Sequence, residues 1–322
     1  MTYVIALPCV DAYDVVIIGA GPAGLSAALN LTRARMRVLV VDSDRPRHAA
    51  TMVSHGFLTR DGVPPHELRR LAREEVERYP ETRVLRRSSV ASVEHTPDAA
   101  SSAHPFVTSV VGRTPALSGA VTSRAVLVAS GLRETLPDVP GIRGFYGMSL
   151  FSCVACDGYE MGDRALALIG ETDDLCARAL LVAQWTTTLT VFTNGAVGLD
   201  AAEEVLLAER GIRVERRRID DLEGERGLIR AVRLVGGERL PITGGFVRPL
   251  WHPIVEFLDS LNPGTDKAGH LVTDRDGRTS IPGLYAAGDV TAPGPQQLIV
   301  AAGAGARAAS TMTHDLLGAA IR

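Results

Sequence analysis

The stretch from Tyr13 to Asp42 constrains the fold more tightly than any other part of the chain. Tyr13–Ile18 is a short apolar run suited to a buried parallel strand, and it passes straight into Gly19-Ala20-Gly21-Pro22-Ala23-Gly24. Leu25–Ala34 then predicts an apolar helix, and Val38–Val41 predicts a second strand that ends at Asp42. Strand, glycine turn, helix, strand and acid follow at the distances of a βαβ dinucleotide-binding unit. Each glycine has a separate task. Gly19 permits the tight turn, Gly21 lets the backbone approach a pyrophosphate, and Gly24 lets helix and strand pack closely. The helix N-terminus, opened by Pro22 and Ala23, faces the phosphate charge, and Asp42 is placed to accept from ribose hydroxyls.

The far end of the chain supplies a complement. Thr279–Asp289 (TSIPGLYAAGD) is a small-residue strand that ends in Gly288 and Asp289, followed by Gln296-Gln297-Leu298 and a small-residue helix over Ala301–Ser310. Ala125–Gly131 (AVLVASG) predicts another buried strand. Between these halves the βαβ pattern repeats: strand Arg164–Gly170, helix Asp174–Trp185, strand Leu189–Phe192. The expected fold is α/β, with two Rossmann-like domains of three-layer ββα type. Residues 1–135 and 248–322 would form one discontinuous dinucleotide domain, and residues 136–247 an inserted NAD(P)-type domain that carries a C-x-x-C. Arg216–Glu225 (RRRIDDLEGE) is expected to be a solvated, mixed-charge face.

Composition removes several function classes. Hydrophobic residues make up 46% and charged residues 22%, with a net charge of −3. The two signs are interspersed, which gives no footprint for nucleic acid or an anionic membrane. The run Val15–Ala20 is far too short to span a bilayer, and the first dozen residues lack a secretory pattern, so a cytoplasmic protein is expected. The chain has four cysteines, Cys9, Cys153, Cys156 and Cys176. Four are too few for a disulfide-stapled scaffold, and no second pair exists to complete a zinc site, so no metal is expected. Cys153 and Cys156 stand in Phe151-Ser152-Cys153-Val154-Ala155-Cys156-Asp157-Gly158-Tyr159-Glu160. That spacing lets two sulfurs meet in a tight turn and form a reversible disulfide with a thiol of lowered pKa. Cys9 and Cys176 are expected to be bystanders.

These motifs together resemble the FAD enzymes of the pyridine-nucleotide disulfide oxidoreductase superfamily. Across nearly its whole length the chain is similar to the low-molecular-weight thioredoxin reductases, whose centre reads C-A-T-C-D-G. The resemblance implies bound FAD, with Asp289 on the ribityl chain and Gln296, Gln297 and Leu298 bordering the isoalloxazine ring. Gly131 closes a strand close to the family's A-T-G, with Ser130 replacing Thr. It also implies that Cys156 faces the flavin, that Cys153 is the outer sulfur engaging substrate, and that Asp157 moves a proton to or from the thiolates. A homodimer is implied in the same way.

The inserted domain departs from that pattern. Where thioredoxin reductases carry G-x-G-x-x-A, this chain has Gly170-Glu171-Thr172-Asp173-Asp174-Leu175. Only the first glycine is kept, and three acids crowd the phosphate position. The arginines that clasp a 2′-phosphate are replaced by Phe192-Thr193-Asn194-Gly195. Loss of NADPH binding is therefore expected. These departures resemble the gliotoxin- and holomycin-type dithiol oxidases, which pass electrons from dithiols through FAD to dioxygen without a nicotinamide. The chain is similar to that branch in Ser54–Gly62 (SHGFLTRDG), in Gly158-Tyr159-Glu160 and in Gln184-Trp185. Many of its members have His after the second cysteine, where this chain has Asp157. His55 is a candidate at the flavin edge or substrate, and His252 a candidate base near the dithiol. The expected partner is a small-molecule dithiol or disulfide, or a thioredoxin-like protein. The alternative function is a thioredoxin reductase that uses NADPH weakly or takes electrons from ferredoxin.

Overall fold

Apolar runs that are buried on both faces dictate the architecture. The structure, a computed structural model, describes residues 12–96, 103–196 and 198–318; Cys9 lies outside them. Along the first part run β1 (Ala12–Ile18), α1 (Pro22–Arg33), β2 (Val38–Asp42), α2 (Pro65–Glu77), β3 (Thr82–Arg86), β4 (Ser88–His95), β5 (Phe106–Gly112), β6 (Gly119–Val128) and β7 (Leu132–Thr135). A second set follows: β8 (Leu150–Phe151), α3 (Val154–Asp157), β9 (Ala165–Gly170), α4 (Leu175–Val182), β10 (Thr188–Phe192), α5 (Ala201–Glu209), β11 (Arg213–Glu215), β12 (Ile219–Glu225), β13 (Leu228–Leu234), β14 (Arg239–Pro241) and β15 (Gly244–Arg248). The chain then returns through β16 (Leu250–Pro253), β17 (Leu284–Ala286) and α6 (Leu298–Leu316).

β3, β2, β1, β6 and β17 form a parallel layer, and β4 and β5 extend the lower half of β6 as an antiparallel meander. Alternation along β1 sends Val15 and Ile17 toward α1 and α6, and Val16 and Ile18 toward the meander. All four are fully or almost fully buried, which is why the run shows no polar alternation. Truncating one such residue, for example Ile17→Ala, would cost about 2–5 kcal/mol. α1 and α6 lie backbone to backbone, since a methyl group on Gly305 would stand 2.0 Å from the Ala23 carbonyl oxygen.

The second sheet, β11-β10-β9-β15-β8, is entirely parallel. Helices α4 and α5 pack on one face, with β12, β13 and β14 as an antiparallel layer on the other. This is the same three-layer plan as the first unit, so the fold is the expected α/β pair of Rossmann-like layers. β7 and β16 pair antiparallel, and through this ribbon the chain leaves the first sheet and returns to it.

The segment Arg216–Glu225 is mostly the solvated, mixed-charge face expected of it, but it also contributes a strand. Residues from Ile219 onward form β12, with Ile219 and Leu222 buried and the acids Asp220, Asp221 and Glu223 paired to Arg233. Two apolar residues three apart are too weak a pattern to announce a strand amid so many charges. Among the described residues, no helix is long and apolar enough to cross a membrane.

Candidate active site

The redox pair sits at the start of a single helical turn. Cys153 and Cys156 form a disulfide, with Cα atoms 5.3 Å apart. Cys153 is the N-terminal flank of α3, and its carbonyl oxygen accepts from the Cys156 and Asp157 N–H groups at 3.2 Å each. Gly158 lets this turn rest on Trp185 in the turn that follows α4, which ends at Val182 short of the expected Trp185, because an added methyl would meet the Trp185 ring at 2.9 Å. Both cysteines are half-buried and Tyr159 beside them is exposed, so solvent reaches the site. Cys176 is buried on α4, away from this turn in the chain, and burial raises its thiol pKa.

Asp157 ends the same turn. Burial pushes its carboxyl up to about 7; His55 opposes that rise and Glu160 adds to it. A carboxylic acid at that value holds or releases a proton at neutral pH, as a proton carrier for thiols must. The structure brings His55 to this carboxyl cluster. Its Nε2 lies 3.6 Å from Glu160, and its Nδ1 lies 3.5 Å from Asp61. The loop that carries His55 is fixed by Asp61, which accepts from the Gly56 N–H at 2.7 Å, and by the pairing of Ser54 with Val63.

His252 is placed differently. It is exposed on β16, opposite Arg133 in the ribbon, while its neighbour Trp251 turns to the other side and donates to Glu134. The Glu134 side is the one that leads to the dithiol. The Tyr146 hydroxyl donates to Glu134 at 2.7 Å, and the next residue's N–H, on Gly147, donates to the Leu150 carbonyl oxygen at 2.8 Å, tying this segment to β8 just before Cys153. Strand alternation therefore places His252 on the ribbon face opposite to Trp251 and Glu134.

The glycine turn has the shape its sequence requires. Gly19 adopts φ +108°, and a methyl there would stand 2.3 Å from the Ala129 carbonyl oxygen. A methyl on Gly24 would lie 1.9 Å from the Gly19 oxygen, so the helix meets the turn with no room for a side chain. Gly21 has nothing within 4 Å of where its methyl would be, leaving an open approach at the start of α1. Gly131 is left-handed at φ +70° and is also open, while Gly288, at φ +79°, abuts Ala23.

The acids are not bare. Asp42 is buried and accepts from Arg69 Nη2 at 3.0 and 2.8 Å and from the Asp44 N–H at 2.8 Å. Arg47 Nη2 donates to Asp289 at 2.8 Å, and its Nη1 reaches Gln296 and Glu134 at 3.2 Å each. Gln297 flanks the N-terminus of α6, and Leu298 begins it. A cavity of about 190 Å³ lies between α1, α2 and the start of α6, lined by Pro22, Leu25, Phe57, Leu68, Arg69 and Leu298. Arg69 Nε is buried there without a partner among the described residues. His48 lines the same cavity, its pKa lowered to about 4 by burial and by Arg69 and Arg47. An open glycine cradle, an orphaned donor and Asp289 with acceptor positions to spare fit a dinucleotide such as FAD, while Asp42, already held by Arg69, Arg73 and the Asp44 N–H, would have to exchange one of these for a ribose hydroxyl.

The second βαβ turn is closed by its own side chains. Asp174, at the N-terminus of α4, accepts from Arg248 Nε at 2.8 Å, Arg178 Nε at 2.8 Å and the Thr172 hydroxyl at 2.6 Å. Although burial raises its pKa, these bonds and charges hold Asp174 below the usual carboxylate range. Arg248 also covers the Trp251 ring at 4.1 Å. Glu171 accepts from Asn194 Nδ2 at 2.6 Å, joining the turn to the end of β10. Arg47, Arg69, Glu134, Tyr146, Arg178 and Arg248 were not legible as site residues. They stand singly in unrelated segments, and only the fold brings them together.

The pyridine nucleotide-disulphide oxidoreductase family model matches residues 13–305. A thioredoxin reductase from Treponema pallidum is 28% identical, covering 92% of this chain and 95% of its own. A relative from Arthroderma benhamiae is 30% identical over 222 residues, 65% of this chain and 52% of its own length. Among solved structures, HlmI is 36% identical with a TM-score of 0.88, covering 95% of this chain and 93% of HlmI.

Proposed function

Since this chain belongs to the pyridine nucleotide-disulphide oxidoreductase family, we propose that it is an FAD-dependent dithiol oxidase that works without NADPH. The observation that carries this reading is the closed second turn. The N-terminus of α4, where a nicotinamide dinucleotide would place its pyrophosphate, is occupied by Asp174 with Arg178 and Arg248. The Gly21 cradle and the Cys153–Cys156 pair, in contrast, are open and formed. The 2′-phosphate contacts absent from Phe192–Gly195 are typically worth about 1.5–3 kcal/mol each. Losing two weakens NADPH by roughly two to four powers of ten.

The substrate is a dithiol, R(SH)₂. One substrate sulfur attacks Cys153 and breaks the Cys153–Cys156 bond. The second substrate sulfur then displaces Cys153, so the substrate leaves as a disulfide and both cysteines are reduced. The two substrate protons pass to the cysteine sulfurs, with Asp157 as the carrier and His55 and Glu160 tuning its charge. FAD held by the Gly19–Gly24 turn and Asp289 would supply the two-electron acceptor for re-forming the Cys153–Cys156 bond, with dioxygen as the final oxidant and hydrogen peroxide as its product. A homodimer in the cytoplasm belongs to the same proposal.

Anaerobic mixing of the holoprotein with dithiothreitol, NADPH or reduced ferredoxin tests this reading through the flavin absorbance. Dithiothreitol should bleach the band and air should restore it, while millimolar NADPH acts slowly or not at all. Rapid bleaching by micromolar NADPH would return the protein to the thioredoxin reductases, and bleaching by reduced ferredoxin alone would assign it that donor.

A further inference from the structure

Glu134 gathers hydrogen bonds from three segments between the two sheets near the dithiol. Its side chain is only 11% exposed. It accepts from Arg47 at 3.2 Å, Tyr146 at 2.7 Å and the Trp251 indole at 3.2 Å. The three donors come from separate segments: the stretch after β2, the stretch before β8, and β16. A carboxylate has about four acceptor positions, so three donors nearly saturate it and fix its orientation.

Each donor leads to a different part of the site. Arg47 continues to Asp289 and Gln296 on the dinucleotide side. Tyr146 bridges to Leu150 at the start of β8, just before Cys153, and burial together with Glu134 raises its hydroxyl pKa, so it remains a donor. Trp251 is Glu134's cross-strand partner and lies beneath Arg248, which grips Asp174 at the closed turn. The backbone is equally tight here. Gly147, next to Tyr146, has φ +82°, and a methyl on it would lie 2.2 Å from the Ala50 carbonyl oxygen, so the segment before β8 rests directly on the stretch that carries Arg47.

We propose that Glu134 is a positioning residue for the redox step, holding the Cys153–Cys156 segment in register with Asp289 through Tyr146 on one side and Arg47 on the other. Glu134 touches neither the sulfurs nor Asp289. It acts by fixing the groups that do, and electron transfer between thiolate and bound flavin depends on that spacing. The inference rests on the redox roles proposed for the cysteines, but not on the choice of electron acceptor.

The test uses FAD-loaded protein in a Cys153→Ser background, where the remaining Cys156 thiolate beside the flavin gives a charge-transfer band. The variants are Glu134→Gln, which keeps size and one acceptor, and Tyr146→Phe, which removes only the hydroxyl. Both should weaken the band. With the cysteines intact, both should slow flavin reduction by dithiothreitol by roughly tenfold or more, since small misplacements of reacting groups carry penalties of that order. The double variant should be no slower than the worse single one, because the two lie on one path. Tyr146→Phe should leave FAD affinity, measured by flavin fluorescence, unchanged. Absence of the band from the Cys153→Ser parent, or its survival at full strength in both variants, overturns the proposal. The band needs no donor, so reduction by NADPH instead of dithiols would sink the oxidase reading while the band still decides the role of Glu134.

Discussion

Asp157 should make the oxidised protein less stable as pH rises, and Asp157→Asn should remove that trend. Its carboxyl moves from an ordinary value of 3.8 to about 7 because burial disfavours the charged form. A shift of about three units corresponds to about 4 kcal/mol of preference for the protonated form in the folded state. Below the unfolded value both states bind the proton and Asp157 contributes nothing to the pH trend. Between about 4 and 7 the folded protein keeps a proton that the unfolded chain has released, so stability falls steadily with rising pH. Above about 7 the penalty is complete and levels off. Asparagine is neutral throughout, so the variant should gain on the wild type across that window and hold the full advantage at pH 8. At roughly 2–4 °C per kcal/mol, the gain in thermal midpoint is on the order of 10 °C.

Thermal unfolding followed by intrinsic and flavin fluorescence, with wild type and variant scanned in parallel from pH 5 to pH 9, supplies the measurement. Paired midpoints are the safer readout, because a cofactor-bound two-unit protein departs from two-state behaviour. The neighbours provide an internal control. His55 opposes the rise, so His55→Ala should move the wild-type inflection to higher pH. Glu160 adds to the rise, so Glu160→Gln should move it lower. A midpoint difference that stays constant from pH 5 to pH 8, or shrinks, would refute the burial argument. The same titration should appear as an inflection near neutral pH in the rate of flavin reduction by dithiothreitol, absent from Asp157→Asn.

Three further outcomes follow from the geometry. Gly21→Ala, with nothing within 4 Å of its new methyl, should fold normally yet bind FAD less tightly, whereas Gly24→Ala, whose methyl would lie 1.9 Å from the Gly19 oxygen, should fail to give stable protein; circular dichroism and flavin titration separate the two. Cys156→Ser should abolish flavin reduction by dithiols, and Cys153→Ser should abolish turnover while keeping Cys156 in place, so equal turnover by wild type and both variants would remove the pair from the mechanism. Arg248→Ala strips Asp174 of one partner and uncovers Trp251; it should lower stability by about 1–3 kcal/mol in chemical denaturation without conferring reduction by NADPH.

What the sequence revealed and what it concealed divide along the range of the interactions. The glycine turns, the strands of the parallel layers and the C-x-x-C are written within short windows, because each obeys a local rule of backbone shape or spacing. Gly19 needs its positive φ and Gly24 its missing side chain whatever the rest of the chain does. The departures at Glu171–Asp174 were legible for the same reason, as wrong residues at positions whose right ones are known. Their consequence was only half legible. The acids were expected to repel a phosphate as free charges, whereas Asp174 is in fact paired with Arg178 and Arg248, the second of them 74 residues away. The obstacle to a nucleotide is thus an occupied site with its charge compensated, and mutating one acid would not clear it. Glu134 marks the far limit of such reading. Its donors Arg47 and Trp251 lie 87 and 117 residues away, and nothing local distinguishes it from any other glutamate on a short strand. A pattern search weights residues by their neighbours in sequence, while a buried carboxylate is defined by donors that topology alone delivers. In this chain the ribbon β7–β16 sets Trp251 against Glu134 and the stretch after β2 brings in Arg47, so the residue that sequence conceals most completely stands where the two halves of the site must be held together.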